Sequence, residues 1–279
     1  MIWYLIICII LIAIAGLSIW RALDKQADKD IWADLVARAP QYVELFDLSM
    51  VANLPEPAQR YFAYSIAPGT PLWTVAEIAM TGQIGLGSKA SPKYRAMVGD
   101  ELLAPPWGFI WKVKAGCISG SDAATSETSW TRFRLFGMIP IIHVQGDPDH
   151  QRSAFGRVVS EAAFWAPASL LPRKNICWEA IDENSARAIV THDGLRQAVE
   201  ITVAANGEPS HVLIQRWSNV NSDKQFREQP FGGHISNFKA FDGYRLPTHV
   251  EGGNHIGTQD YFPFFIANVT SVRFPQKQV

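Results

Sequence analysis

From Leu72 to Phe274 the chain runs in short alternations of apolar and polar residues, and the connections between them permit one kind of pairing. Asp182-Glu183-Asn184, His192-Asp193-Gly194 and Asn206-Gly207-Glu208-Pro209 are tight-turn sequences. Parallel neighbours need a crossover of about a dozen residues or more, so segments joined by such turns must pair antiparallel. The first segment, Val75 to Thr81, runs into Gly82, Gly85 and Gly87, which read as turn or bulge positions. Strands follow at Lys93–Val98, Phe109–Lys114, Trp130–Phe136 and Ile139–Val144, and after a break at Cys177–Ile181, Ala186–Thr191, Leu195–Ala204, His211–Trp217, His234–Phe241, Pro247–Glu251 and Phe264–Phe274. No internal repeat recurs, which argues against a propeller or solenoid.

The break is the segment His150–Leu171. Ala154, Phe155, Val158, Val159, Ala162, Ala163 and Trp165 form an apolar stripe at helical spacing, with Arg157, Ser160 and Glu161 opposite or at its edge, and Pro167 stops the helix. A single amphipathic helix between two groups of strands belongs across the open face of a curved sheet. The expected class is therefore mainly β (α+β): a large curved antiparallel sheet or half-barrel with a covering helix.

Ahead of this domain, no charged residue occurs before Arg21. Wound as a helix, Ile2 to Trp20 is ~28 Å long, close to the ~30 Å hydrocarbon core of a bilayer. Trp3, Tyr4 and Trp20 sit at its ends, where amphipathic rings favour the interface. Ala13-Ile14-Ala15 offers a small-residue cleavage pattern, but no base precedes the run and apolar residues continue through Trp20, so the reading taken is an uncleaved single-pass anchor. Arg21, Lys25 and Lys29 would keep the domain on the cytoplasmic side, while Asp24, Asp28 and Asp30 interleave with them; the side stays open. The expected organisation is an anchor at 1–20, a juxtamembrane helical segment at 21–53 broken at Pro40, and one β-rich domain at 54–279. In the middle segment Tyr42, Leu45 and Phe46 continue the helical spacing.

Apolar residues make up 48% and charged ones 18%, so a substantial core is available, and a net charge of -1 gives no footprint for nucleic acid. Ten Trp and fifteen Phe fill a wide core or line an apolar cavity. Outside the anchor, Cys117 and Cys177 allow one disulfide or two reduced thiols, and reduced and buried is the reading taken.

No phosphate-binding loop, dinucleotide fingerprint, paired CxxC or HExxH is present, so no cofactor, metal site or catalytic set is expected. His249 and Glu251 share one face of a strand, with His255 and Asp260 nearby, a weak metal or acid–base pattern that a solvent-facing strand also produces. Glu161, one turn from Arg157, is either a buried acid beside a cavity or half of an exposed ion pair, and the exposed pair is the default. Trp107, Phe109 and Trp111 alternate and so share a sheet face. Candidate cavity-lining residues are Trp107, Phe109, Trp111, Phe155, Val159, Glu161 and Trp165.

Several pieces, taken in order, carry a resemblance: Leu54-Pro55-Glu56-Pro57-Ala58-Gln59-Arg60-Tyr61-Phe62, Met80-Thr81-Gly82, Gly108-Phe109-Ile110-Trp111-Lys112, Glu161 through Pro172, and Cys177-Trp178-Glu179. The series resembles an uncharacterised bacterial family known only as a domain of unknown function. That resemblance implies a bacterial origin and brings no established activity with it. In strand pattern alone the chain is similar to periplasmic lipoprotein carriers and related lipid-binding half-barrels, which implies a curved sheet closed by helices over an apolar cavity. The function expected is membrane-anchored binding of a lipid or other apolar ligand. A scaffold in an envelope complex is the alternative, and an enzyme on a membrane-derived substrate the third reading.

Overall fold

The computed structural model describes residues 1–276. Helix α1 runs unbroken over Ile2–Ala37, followed by a short 3-10 turn at Leu48–Val51 and by α2 at Glu56–Ser65. Strands β1 (Ala76–Gly85), β2 (Tyr94–Ala104), β3 (Gly108–Ala115), β4 (Ile118–Thr125), β5 (Ser129–Leu135) and β6 (Ile139–Gln145) follow as a meander. Helix α3 (Pro148–Trp165) then leads to β7 (Ile176–Ala180), β8 (Ser185–His192), β9 (Leu195–Val203), β10 (Pro209–Ser218), β11 (Arg227–Phe241), β12 (Tyr244–Asn254) and β13 (Phe262–Arg273).

All thirteen strands form one antiparallel sheet in the order β6-β5-β4-β3-β2-β1-β13-β12-β11-β10-β9-β8-β7. The chain walks outward from the centre to one edge, crosses on α3, enters at the other edge and walks back until β13 closes against β1. Laid flat, the two edges would stand ~58 Å apart at ~4.8 Å per strand. Helix α3 covers ~27 Å of that. The sheet curls around it instead: from Ala154 to Trp165 every residue of α3 except Arg157 is buried. The helix therefore lacks the solvent face its spacing suggests, and Ser160 and Glu161 lie inside the fold.

Two apolar clusters result. The larger fills the concavity, where α2 and α3 lie against the sheet, and includes Tyr61, Phe62, Phe109, Val159 and Trp165. Tyr61 of α2 donates to the Ala163 carbonyl of α3 at 2.8 Å, tying the two helices together. The smaller lies on the convex back, where Ile31 and Leu35 of α1 pack on Leu102, Ala104, Ile110, Ala123 and Trp130.

The covered stripe of α1 is Leu17, Arg21, Asp24, Asp28, Ile31 and Leu35, which recur at helical spacing. Polar contacts reinforce it. Asp24 pairs with Arg134 and Arg132, and the Ser121 hydroxyl donates to Asp28 at 2.7 Å. Lys112 lies 3.8 Å over the Trp32 ring. Before Leu17 the helix stands clear of the domain, and it is long and apolar enough to cross a membrane.

Several sequence readings need correction. The segment after Pro40 is not helical: Leu45 bridges Pro71, and the chain reaches only the short 3-10 turn. The missed strand is β4, whose Ser119, Gly120, Ser121, Ala123 and Ala124 give no hydrophobic alternation. Of these, Ser121 and Ala123 face the back of the sheet, where Ser121 bonds Asp28 and Ala123 joins the Ile31–Leu35 cluster. Gly82 does not end β1; it sits within it, where a side chain would meet the Ile266 carbonyl oxygen at 1.9 Å. Cys117 and Cys177 are free, as read, but exposed rather than buried.

Candidate functional site

The concave face is not fully packed. Between α3 and the strands lies a cavity of about 240 Å³. Its walls are mostly rings and aliphatic side chains: Trp111, Phe133, Phe164, Phe231, Phe264 and Phe265, with Ile84, Val212, Ile235 and Val250. Part of the space exists because strands withhold side chains. In the β11–β12 pair Gly232 faces Gly253 and Gly233 faces Gly252, and Gly232, Gly233 and Gly252 line the cavity. A β-carbon on Gly252 would meet nothing closer than a Phe265 ring carbon at 4.0 Å.

One end of the cavity is charged. The ladder pairs Glu101 with Trp111 and Trp111 with Asp122, so these three form one row across β2, β3 and β4 on the concave face. Arg157 descends from α3 onto this row. It donates to Glu101 at 3.1 Å, to Asp122 at 2.7 Å and to Glu161, one turn along its own helix, at 2.7 Å. Its guanidinium also lies 4.3 Å over the Phe109 ring. Asp122 accepts in addition from Thr131 at 2.8 Å, whose hydroxyl meets His150 at 2.8 Å.

Glu101 is fully buried. Burial, then the Glu161 carboxylate beside it, push its pKa well above the ordinary 4.5, outweighing Arg157. Glu101 therefore takes up a proton more readily than an ordinary glutamate. Burial alone would lower the Arg157 pKa, but Glu161, Glu101 and Asp122 raise it above the ordinary arginine value.

Arg216 on β10 completes the charged end and differs from Arg157. Its Nε donates to the Ser153 hydroxyl at 3.0 Å, and its guanidinium lies 4.6 Å over Phe231. Among the described residues it has no ion-pair partner, though it lines the cavity. Burial lowers its pKa to about 10, which leaves it charged at neutral pH. With Arg157 held by Asp122 and Glu161, Arg216 is the cation whose donors remain for a bound molecule.

The structure distributes the sequence candidates. Trp111 and Glu161 line this cavity. Trp107 and Phe155 line a separate cleft of about 310 Å³ with more polar walls, including Ser126, Gln151, His192 and Asp193. Phe109, Val159 and Trp165 are core, buried on all sides. Trp107 does not share a face with Phe109 and Trp111; it lies in the turn before β3, stacked edge-on against His192. The default reading of Arg157 and Glu161 as an exposed pair is overturned, since both sit at the buried end of the cavity. His249 bonds Glu251 at 3.3 Å and Asn268 at 2.9 Å, while His255 turns away to the Val220 carbonyl. Among the described residues no group of His, Cys, Asp and Glu is placed to hold a metal.

Sequence reasoning missed Glu101, Asp122 and Arg216. Glu101, next to Leu102 and Leu103, carried a signal: a lone acid on the inward register of an apolar strand.

The profile of the family of unknown function DUF6544 matches residues 44–266, and the chain belongs to that family. The match takes in most of the domain and begins after α1. No curated protein matches. Among solved structures, the chain is similar to a LolA superfamily protein of Nitrosomonas europaea at 10% identity and a TM-score of 0.41, covering 80% of this chain and 93% of that one. It is also similar to a domain provisionally assigned to outer-membrane lipoprotein sorting from Vibrio parahaemolyticus, at 15% identity and a TM-score of 0.39 with the same coverage.

Proposed function

We propose that this DUF6544 member is a membrane-anchored binder of a single-chain amphiphile, a lipid or lipid-like molecule with one acyl-type tail and an anionic head. The observation that carries it is the cavity with aromatic walls and one half-buried arginine that has no ion-pair partner among the described residues. Apolar walls favour a tail by about 25 cal/mol per Å² removed from water. A half-buried cation outside any ion pair is partly desolvated, so a ligand that brings the anion is favoured over one that does not. Liquid water occupies ~30 Å³ per molecule, so the cavity has room for about eight waters, below the ~300–1,000 Å³ of pockets for drug-sized ligands. That size suits one tail and excludes a whole two-chain lipid. A scaffold would be served by a filled core, which is why the binding reading ranks above it.

The anchor belongs to the same reading. Residues 2–20 cross a bilayer, and α1 continues into the back of the sheet, so the domain works beside the membrane that supplies the ligand.

The test uses the full chain held in amphipol and a dansyl-labelled fatty acid. Saturable uptake, displaced by unlabelled fatty acid and lost in Gly252→Leu, is the expected result. Absence of uptake, or equal uptake by the Gly252→Leu protein, overturns the reading.

A further inference from the structure

Where α1 first meets the domain, a second apolar feature ends at the same level. Trp20, the last residue of the uncharged run, meets His143 of β6 edge to face at 5.2 Å, and Arg134 of β5 lies 4.8 Å over the Trp20 ring. The turn of the β5–β6 hairpin brings Gly137 against the Arg21 guanidinium. Beside these contacts the hairpin is bare. Phe136 at its tip is 74% exposed, and Ile141 and Ile142, which point to opposite faces, are 47% and 46% exposed.

A flat apolar edge strand is a site for another strand or for an apolar phase. Strand addition is disfavoured here. Pro140 has no N–H to offer, and the register slips between Phe133 and Arg134 opposite it, which twists the edge. What lies next to this edge is the exit point of the anchor.

We propose that the β5–β6 hairpin, led by Phe136, inserts into the interfacial layer of the bilayer that holds residues 2–20. The domain is then held at two points with a fixed tilt, and Arg21 sits at phosphate depth between them. This inference rests on the anchor reading and is independent of what fills the cavity.

The test places single cysteines in the full chain, with Cys8, Cys117 and Cys177 replaced by serine, at Phe136, Ile142, Ile10 and Ala205. Each is labelled with a nitroxide in vesicles of phosphatidylethanolamine and phosphatidylglycerol. Accessibility to oxygen is compared with accessibility to a water-soluble nickel chelate. The expected result is oxygen-favoured labels at Phe136, Ile142 and Ile10, and a nickel-favoured label at Ala205. A Phe136 label as open to nickel as Ala205, with Ile10 still at depth, overturns the hairpin insertion alone. Nickel access at Ile10 as well removes the anchor and the insertion together. Protection of Phe136 from both reagents in a protein of dimer mass assigns the edge to self-association and also overturns the proposal.

Discussion

Arg157 on α3 and Glu101 on β2 meet at 3.1 Å at the charged end of the cavity, so this guanidinium ties the roof of the fold to its floor. Around it Asp122 and Glu161 supply negative charge while burial disfavours charge on Glu101, and this arrangement sets what each substitution does.

Removing Arg157 leaves two carboxylates buried without a cation, a change that costs ~3–5 kcal/mol in other proteins. Arg157→Met is expected to destabilise the fold by about that amount in equilibrium denaturation. Glu101→Gln is isosteric with the protonated acid and is expected within about 1 kcal/mol of the native protein. An equal loss for both variants would mean that Glu101 is ionised.

The raised pKa of Glu101 has a pH signature. Its folded pKa lies above the unfolded value of about 4.5, so the folded state holds the proton over a range where the unfolded state has released it. That contribution is complete below pH ~4.5 and is lost as pH rises toward the folded pKa, at up to ~1.4 kcal/mol per pH unit. Stability measured from pH 4 to 8 is expected to fall in the native protein relative to Glu101→Gln. Parallel curves would refute the assignment.

Arg216 discriminates heads, not tails. A charge-assisted hydrogen bond contributes ~1.5–3 kcal/mol, or roughly 10–100-fold in affinity. Arg216→Met is expected to weaken a fatty-acid probe by that factor and to leave the matching fatty alcohol nearly unchanged, measured by fluorescence titration. Equal losses for acid and alcohol would show that Arg216 only shapes the cavity.

Asp24 fixes α1 to the back of the sheet through Arg132 and Arg134, two arginines that are themselves almost fully buried. Asp24→Asn removes the ion-pair partner of both, leaving Arg132 only the weaker influence of Asp28. Amide exchange over residues 21–37 is expected to accelerate by a factor of about ten or more, while exchange in β10 and β11 holds. Unchanged exchange in α1 would show that the apolar stripe through Ile31 and Leu35 docks the helix alone.

Much of this fold was legible because alternation and turn chemistry are local. Strands β7 to β10 follow runs such as Leu195–Ala204 and His211–Trp217 closely, whereas β11 begins at Arg227, well before the His234–Phe241 run; Pro167 does mark the end of the covering helix. Strand β4 was not legible, since its residues are small or polar on both faces, and two of them, Ser121 and Ala123, answer to α1 from far away in sequence. The site was half legible for the same reason. Trp111 and Glu161 declare themselves by aromatic and helical spacing, but the row Glu101–Trp111–Asp122 exists only once three strands are in register. Phe109, Val159 and Trp165 read like cavity residues because an apolar residue facing a core and one facing a hollow obey the same periodicity. Part of the hollow comes from Gly252 on β12, whose open side-chain position is set only once the strands are paired.

The most direct measurement is native mass spectrometry of the full chain released from its own membrane. The account predicts a retained mass corresponding to one single-tailed, anionic amphiphile, absent from the Gly252→Leu protein and depleted in Arg216→Met. A native protein that carries no such mass, or the same adduct on all three proteins, would contradict it.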